Sequence, residues 1–364
     1  MDLFDIVDDL DIAQDLEILD YIHPEHRKPR EVKARPDNLN VWDDNEFWKR
    51  FRLKKETVSL IHSLIEEKIK HKTNWNQCVS PMQQLLLTLR FYATGSFYIT
   101  VGDFGGIHNS TMCKIIKRVT EAIAALRPDF ISLPKSREEI LAVQQDFYKI
   151  ARFPRVIAAL DCSQVKTISP GGDNAEIYRN RKGYFSLNVQ AMCNANLQFL
   201  DIVTRWPGST HDSLIFANSA AKYQCDNHTF GNGIVLGDSG YFLNNYLLTP
   251  LSNPLTRAEQ LYNESHIRTR NVIERTFGIW KRRFPVLSIG LRCKIPLAQD
   301  IIVATAILHN LARTQNEGEP PTDLEVQVPP QLVIPVSELA GDERGRNSRT
   351  RDAMITYFGS LAGN

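Results

Sequence analysis

Residues 155–163 read RVIAALDCS. Val156 through Leu160 form an unbroken apolar run, the pattern of a buried strand, and the run delivers one carboxylate, Asp161, at its far end. A buried aspartate is costly without partners, so further acids are expected downstream to meet it. Three stand in suggestive settings: Asp212 in GSTHDS, Asp238 in GIVLGDSGY and Glu274 in NVIERTFGIWKRRF.

Working outward, strands are expected over 155–166, 184–193 and 198–206, the last two joined through Asn194-Ala195-Asn196, residues that favour a hairpin turn. A helix follows from near His211 through Phe216, then a short strand over 234–236 that ends at Gly237-Asp238. Asp161 should end the central strand and Asp238 the strand beside it, which lets their side chains converge. Glu274 belongs to a helix whose apolar seam is Ile273, Phe277, Trp280 and Phe284. Its own face carries Asn271, Gly278 and Lys281, with Gly278 leaving room for a phosphate and Lys281 placed to touch a bound strand. Strands, helix, strand and later helix in this order predict an α/β protein with an RNase H-like core.

These residue types suit phosphodiester chemistry. Cleavage needs a hard cation to polarise a non-bridging oxygen, activate water and neutralise the leaving oxyanion, and two Mg²⁺ about 4 Å apart do all three. Magnesium takes oxygen ligands, so a small set of Asp and Glu suffices, with Mn²⁺ the nearest substitute. Asp161, Asp238 and Glu274 are the expected catalytic set, and Asp212 joins them as the fourth metal ligand. Without metal the four should repel and raise one another's pKa values. Blander roles compete: Asp238 as a turn former, Asp212 as a helix cap, Glu274 as a surface residue paired with Arg270 or Lys281, and His211 as a packing residue rather than a base.

The 364 residues, 43% of them hydrophobic, exceed one average domain. Residues 1–22 carry eight acids and no Lys or Arg, unlike a secretory signal, and no apolar run reaches the roughly 20 residues of a membrane span. The six cysteines show no paired spacing, which points to reduced core thiols. Net charge is +1, yet residues 150–313 hold 18 Lys and Arg against 11 Asp and Glu, a local balance of +7. That basic excess suits a nucleic-acid partner.

Ahead of the core, apolar spacing predicts helices over 44–70 and 81–93. A helix-turn-helix pattern follows: a short helix over 101–104, the Gly105-Gly106 turn, and a longer helix capped by Asn109 or Ser110. Lys114, Lys117 and Arg118 lie off that helix's apolar side, as DNA-phosphate contacts or simply as a solvated basic face. Four regions result: an N-terminal acidic and basic segment (1–40) suited to partner binding; an all-helical helix-turn-helix module (41–130); the RNase H-like nuclease domain (131–315); and a Pro-rich tail with a terminal helix (316–364).

ALDCS, YRNRKGYFSLNVQ, WPGSTHDSLIF, LGDSGYFL, VIERTFGIWKRRFPVL and ILHNLA together resemble the DDE nuclease domain of PIF/Harbinger transposases and their domesticated, Harbinger-derived nuclease relatives. The likeness covers roughly residues 80–315. It implies an RNase H-like fold, metal carried by Asp161, Asp212, Asp238 and Glu274, terminal-inverted-repeat DNA as substrate, target-site DNA for strand transfer, and a Myb-like helper protein. Strand topology favours Asp238 over Asp212 for the core triad. Arg179, Arg181, Lys182, Lys281 and Arg282 are the candidates for holding the DNA backbone. A homo-oligomer, a dimer or higher, is expected in the nucleus with a cytoplasmic pool. A domesticated nuclease, a non-cutting DNA or chromatin regulator, and a small-molecule phosphohydrolase are the competing readings.

Overall fold

The computed structural model describes residues 35–71, 78–320 and 348–362. The expectations for the acidic segment 1–22, for most of the basic stretch after it and for the Pro-rich 321–347 lie outside the described residues. The chain forms two compact units. One holds the described residues up to Phe130 together with Val165–Ser186 and the chain from Trp280 to 320. The other holds Ile131–Gln164, Leu187–Ile279 and residues 348–362.

The front of the first unit is helical because its apolar residues recur every three or four positions. Helix α1 (Asp44–Phe51) is capped by Asp43, and α2 (Lys55–Ile69) buries Val58, Ile61, Ile65 and Ile69. Helix α3 (Pro81–Thr94) opens with Ser80 and Pro81 and stops at Gly95 in the left-handed region, φ 61°. Helix α4 (Tyr98–Gly105) begins three residues before the expected start and ends on Gly106. Helix α5 (Asn109–Ala124) turns Met112, Ile116, Val119 and Ile123 inward as its spacing predicted. Its cap is neither Asn109 nor Ser110: His108 Nδ1 accepts from the Ser110 N–H, serving the orphan donor that a serine oxygen would have served.

In the second unit α6 (Arg137–Ala151) starts with a capping box in which Ser136 and Glu139 each accept from the other's backbone. Five strands then form one mixed sheet: β1 (Val156–Lys166), β2 (Ser186–Cys193), β3 (Phe199–Pro207), β4 (Ile234–Leu236) and β5 (Leu247–Leu248), in the order β3-β2-β1-β4-β5. Between β3 and β4 lie α7 (Asp212–Ala217) and α8 (Ala220–Asp226). β2 and β3 are antiparallel, while β4 is parallel to both β1 and β5. Asp161 does not end β1, which runs on to Lys166; what ends beside it is the fully buried run Val156–Leu160. The core under this sheet gathers Ile157, Leu160, Met192, Phe216, Val235 and Leu247.

Helix α9 (Arg257–Arg283) is 27 residues long and buries the expected seam of Ile273, Phe277, Trp280 and Phe284. Helix α10 (Ile295–Thr314), in the first unit, is the one described helix long and apolar enough to cross a bilayer. Within that unit it packs against α5, and 67% of its most apolar stretch is buried in the protein. Asn310 on it donates to the Phe130 carbonyl at 2.8 Å, a structural bond. The chain's described end is α11 (Arg349–Ala362), whose Phe358 packs its ring at a tilt on Phe153 and edge-to-face on Tyr262. None of the six cysteines forms a disulfide, and four of them are buried.

Candidate active site

The parallel pairing of β1 with β4 matches Ala159 with Leu236, and two residues beyond each lie Asp161 and Asp238. Adjacent strands are about 5 Å apart, so the sheet itself brings these two carboxylates together. Asp238 also forms the turn its sequence suggested, since the Gly240 N–H donates to its Oδ1 at 2.9 Å. Asp212 is the first residue of α7, after His211 at the cap. Capping is not its contact: Asn188 Nδ2, from β2, donates at 2.8 Å to Asp212 Oδ1 and to the Thr210 carbonyl, fixing the acid where its helix starts.

Glu274 arrives from α9 together with Arg270, one turn earlier on the same face. Arg270 Nη1 donates to Asp161 Oδ2 at 3.1 Å and its Nη2 donates to Glu274 Oε1, joining the strand acid to the helix acid. The second oxygen of Asp161 accepts from the Cys162 N–H at 2.7 Å. Behind them the Tyr241 hydroxyl lies 3.3 Å from Cys162 Sγ. The pairing of Glu274 with Arg270 therefore forms, but as part of a cluster rather than as a surface ion pair: the Asp161, Arg270 and Glu274 side chains are only 17%, 16% and 26% exposed.

Crowding shows in the electrostatics. Burial, reinforced by the charges of Asp238 and Asp212 and opposed by Arg270, pushes Asp161 up to about 7. Asp238 is raised as well, by burial first and then by Asp212 and Glu274, against the pull of Arg270 and the Gly240 N–H. Four acids from β1, the β4 end, α7 and α9 thus feel one another, with one guanidinium among them. The donor set suits a hard divalent cation, being oxygen throughout. As the side chains stand, however, no three His, Cys, Asp or Glu groups among the described residues are close enough to hold an ion. The expected metal shell is therefore not assembled, and the cation between Asp161 and Glu274 is Arg270.

A family model described as a DDE superfamily endonuclease matches residues 160–310. HARBI1 of Bos taurus, whose name marks it as a candidate nuclease, is 31% identical over 309 residues, which cover 84% of this chain and 88% of its own. The chain belongs to the PIF/Harbinger family. Other members it resembles include human HARBI1, 33% identical over 71% of this chain and 74% of its own. Antagonist of Like Heterochromatin Protein 1 of Arabidopsis thaliana is 25% identical over 74% of this chain and 73% of its own. No solved structure gives a significant match. The mixed five-stranded sheet with its helices is consistent with the RNase H-like core of this family's nucleases.

The basic candidates all belong to the first unit. Lys114 is exposed on α5; Lys117 approaches Glu121 at 4.0 Å, and Arg118 Nη1 meets His71 Nε2 at 3.1 Å. Arg179 braces its own loop through Glu176 at 2.7 Å and the Gly183 carbonyl at 2.8 Å, while Arg181 and Lys182 are exposed. Burial, with Lys182 nearby, brings Lys281 down to about 8, and Arg282 lies 3.7 Å from Glu319. At Gly278 a Cβ would meet nothing within 4 Å, so that turn of α9 is open. From the sequence, Arg270 reads only as a surface partner of Glu274, and Asn188 carries no signal of a role at the site. The four-residue spacing signalled the first contact, but nothing in the sequence announced that the same side chain spans 109 residues to Asp161.

Proposed function

We propose that this protein is a transposase-derived, metal-dependent DNA endonuclease. The observation that carries the reading is the neighbourhood of four acids from four separate elements: after burial, Asp238 and Asp212 raise Asp161, Asp212 and Glu274 raise Asp238, and Arg270 bridges Asp161 to Glu274. Asp161, Asp238 and Glu274 supply the catalytic oxygens, and Asp212, held by Asn188, is the accessory ligand. When bound, Mg²⁺, or Mn²⁺ in its place, supplies the Lewis acidity that phosphodiester cleavage needs, in a pair of ions if all four acids serve. The partial burial of the acids limits water around the reacting phosphate, and the open turn at Gly278 gives the DNA backbone a place beside Glu274.

Double-stranded DNA with terminal inverted repeats is the proposed substrate. Lys114, Lys117 and Arg118, on the second helix of the α4–α5 pair read as a helix-turn-helix, are proposed phosphate contacts, as are Arg181, Lys182, Lys281 and Arg282. Arg179 is proposed to hold the loop that presents Arg181 and Lys182. A Myb-like helper, assembly into a dimer or higher, residence in the nucleus with a cytoplasmic pool, and an N-terminal segment 1–40 that meets the helper complete the proposal. Strand transfer into target DNA, the step of a full transposase, is the extension of this chemistry, and the naming of relatives as candidate nucleases supports cutting ahead of transposition.

The test is incubation of the protein and a Myb-like helper with end-bearing DNA and Mg²⁺. Wild type should nick or cut the ends and Glu274→Gln should not. Equal cleavage by both would place the activity elsewhere. Cleavage by neither, with DNA binding intact, would favour a non-cutting regulator.

A further inference from the structure

One cation lies at the centre of the acid cluster, and it belongs to the chain. Arg270 uses two separate nitrogens for two separate acids: Nη1 for Asp161 Oδ2 at 3.1 Å, and Nη2 for Glu274 Oε1. Its charge also acts on Asp238. Both Asp161 oxygens are engaged in this arrangement: Oδ1 accepts from the Cys162 N–H at 2.7 Å and Oδ2 from Arg270. An ion that bridged Asp161 and Glu274 through Oδ2 and Oε1 would compete with the guanidinium for those two oxygens. Two oxygens on one Mg²⁺ at about 2.1 Å each lie no more than about 4 Å apart, and the guanidinium that contacts both would have to leave the space between them.

We propose that Arg270 is a resident counter-cation, clamping Asp161 to Glu274 in the ion-free protein and releasing both before a divalent ion can bridge them. This rests on the metal-dependent reading above and goes beyond it, because it makes metal entry a displacement rather than a filling. The exchange is a side-chain movement, since α9 is anchored on either side of the residues involved. One turn before Arg270, buried His266 donates from Nε2 to the Leu248 carbonyl at 3.0 Å, and Ser265 donates to the Ala151 carbonyl at 2.6 Å. Beyond Glu274, Thr276, Phe277 and Trp280 are buried. The helix keeps its register while the long arginine side chain, 16% exposed, swings. Four carboxylates with no cation at all would repel one another, so the clamp lets the site fold before metal arrives.

Two consequences separate this from a merely structural arginine. Removing the guanidinium should weaken the ion-free protein, and it should strengthen metal binding, because nothing then has to be displaced. The experiment compares full-length wild type, Arg270→Gln and Arg270→Lys in mildly alkaline buffer. It reads the unfolding midpoint in chelator and in saturating Mn²⁺, together with the Mn²⁺ affinity. Arg270→Gln should unfold at lower temperature in chelator, recover in Mn²⁺, and bind Mn²⁺ more tightly by on the order of ten-fold, the equivalent of one lost charge-assisted hydrogen bond. Arg270→Lys keeps the charge without the fork and should fall between. Mn²⁺ affinity equal to or weaker than wild type in both variants would overturn the displacement. Should Arg270→Gln fail to fold, the same comparison on Arg270→Lys decides. Absence of Mn²⁺ binding in wild type and variants alike would instead sink the metal-dependent reading, and this proposal with it.

Discussion

Asp161 is pressed from two directions. Burial and the neighbouring Asp238 and Asp212 disfavour its charge, while Arg270 supports it, and its carboxyl ends near 7 against an ordinary value of 3.8. Between about pH 4 and 7 the folded protein therefore keeps a proton that the unfolded chain has given up. This group's contribution to stability is greatest at the acid end of that window and is lost as the pH rises through the folded value. In chelator, Asp161→Asn should remove that slope and raise the unfolding temperature by a few degrees at about pH 8; in Mg²⁺ the same variant should not cleave DNA. Thermal unfolding over a pH series checks it; an unchanged slope would mean that Asp161 is not the group under strain. Asn188→Ala should leave the fold intact and lower the cleavage rate by freeing Asp212, a change to be read as kcat at saturating Mg²⁺.

Elements differ in how openly the sequence announces them. The buried part of β1 was legible because Val156–Leu160 is apolar without a break, and α9 because its seam repeats every three or four residues. β5 was not: a two-residue strand, Leu247–Leu248, has no period to detect. Asp161 looked like a strand end because apolarity stops there, although backbone pairing continues along residues that are only partly covered. The α4–α5 turn was legible in its glycines and misjudged in its cap. There, close packing makes a prediction. A Cβ on Gly102 would come 2.5 Å from the Ile107 carbonyl oxygen, which is backbone and cannot step aside, whereas one on Gly105 would meet the movable tip of Leu87 at 2.6 Å. Gly102→Ala should destabilise by about 1–3 kcal/mol and Gly105→Ala by less, measured by urea unfolding. The reverse order would show that the turn is not packed as described.

At the scale of the whole molecule, a net charge of +1 conceals two charge centres largely shielded from solvent and the local balance of +7 over residues 150–313. In the first unit Arg283 and Glu317 are fully buried at 3.1 Å, with Arg283 also donating to the Arg52 and Gly318 carbonyls and Glu317 accepting from the Lys54 N–H and Thr57. Glu317→Gln strands a buried guanidinium and should cost about 3–5 kcal/mol of stability. Arg283→Met combined with Glu317→Leu should recover part of that in a denaturant titration. On the exterior, exchanging Lys114 and Lys182 for Glu should weaken DNA binding without changing which sequence is preferred, and should flatten the dependence of log affinity on log salt. An unaltered salt slope would remove these side chains from the DNA path.

In the second unit the decisive question is whether Asp161, Asp238 and Glu274 act on one shared ion. An equilibrium Mn²⁺ titration followed by electron paramagnetic resonance answers it most directly, on the wild type and on Asp161→Asn, Asp238→Asn and Glu274→Gln. Binding should be saturable in the wild type and weaker by at least about ten-fold in each variant, one ligand of a joint site having gone. Binding that is unchanged in all three variants, or absent from the wild type, would contradict it.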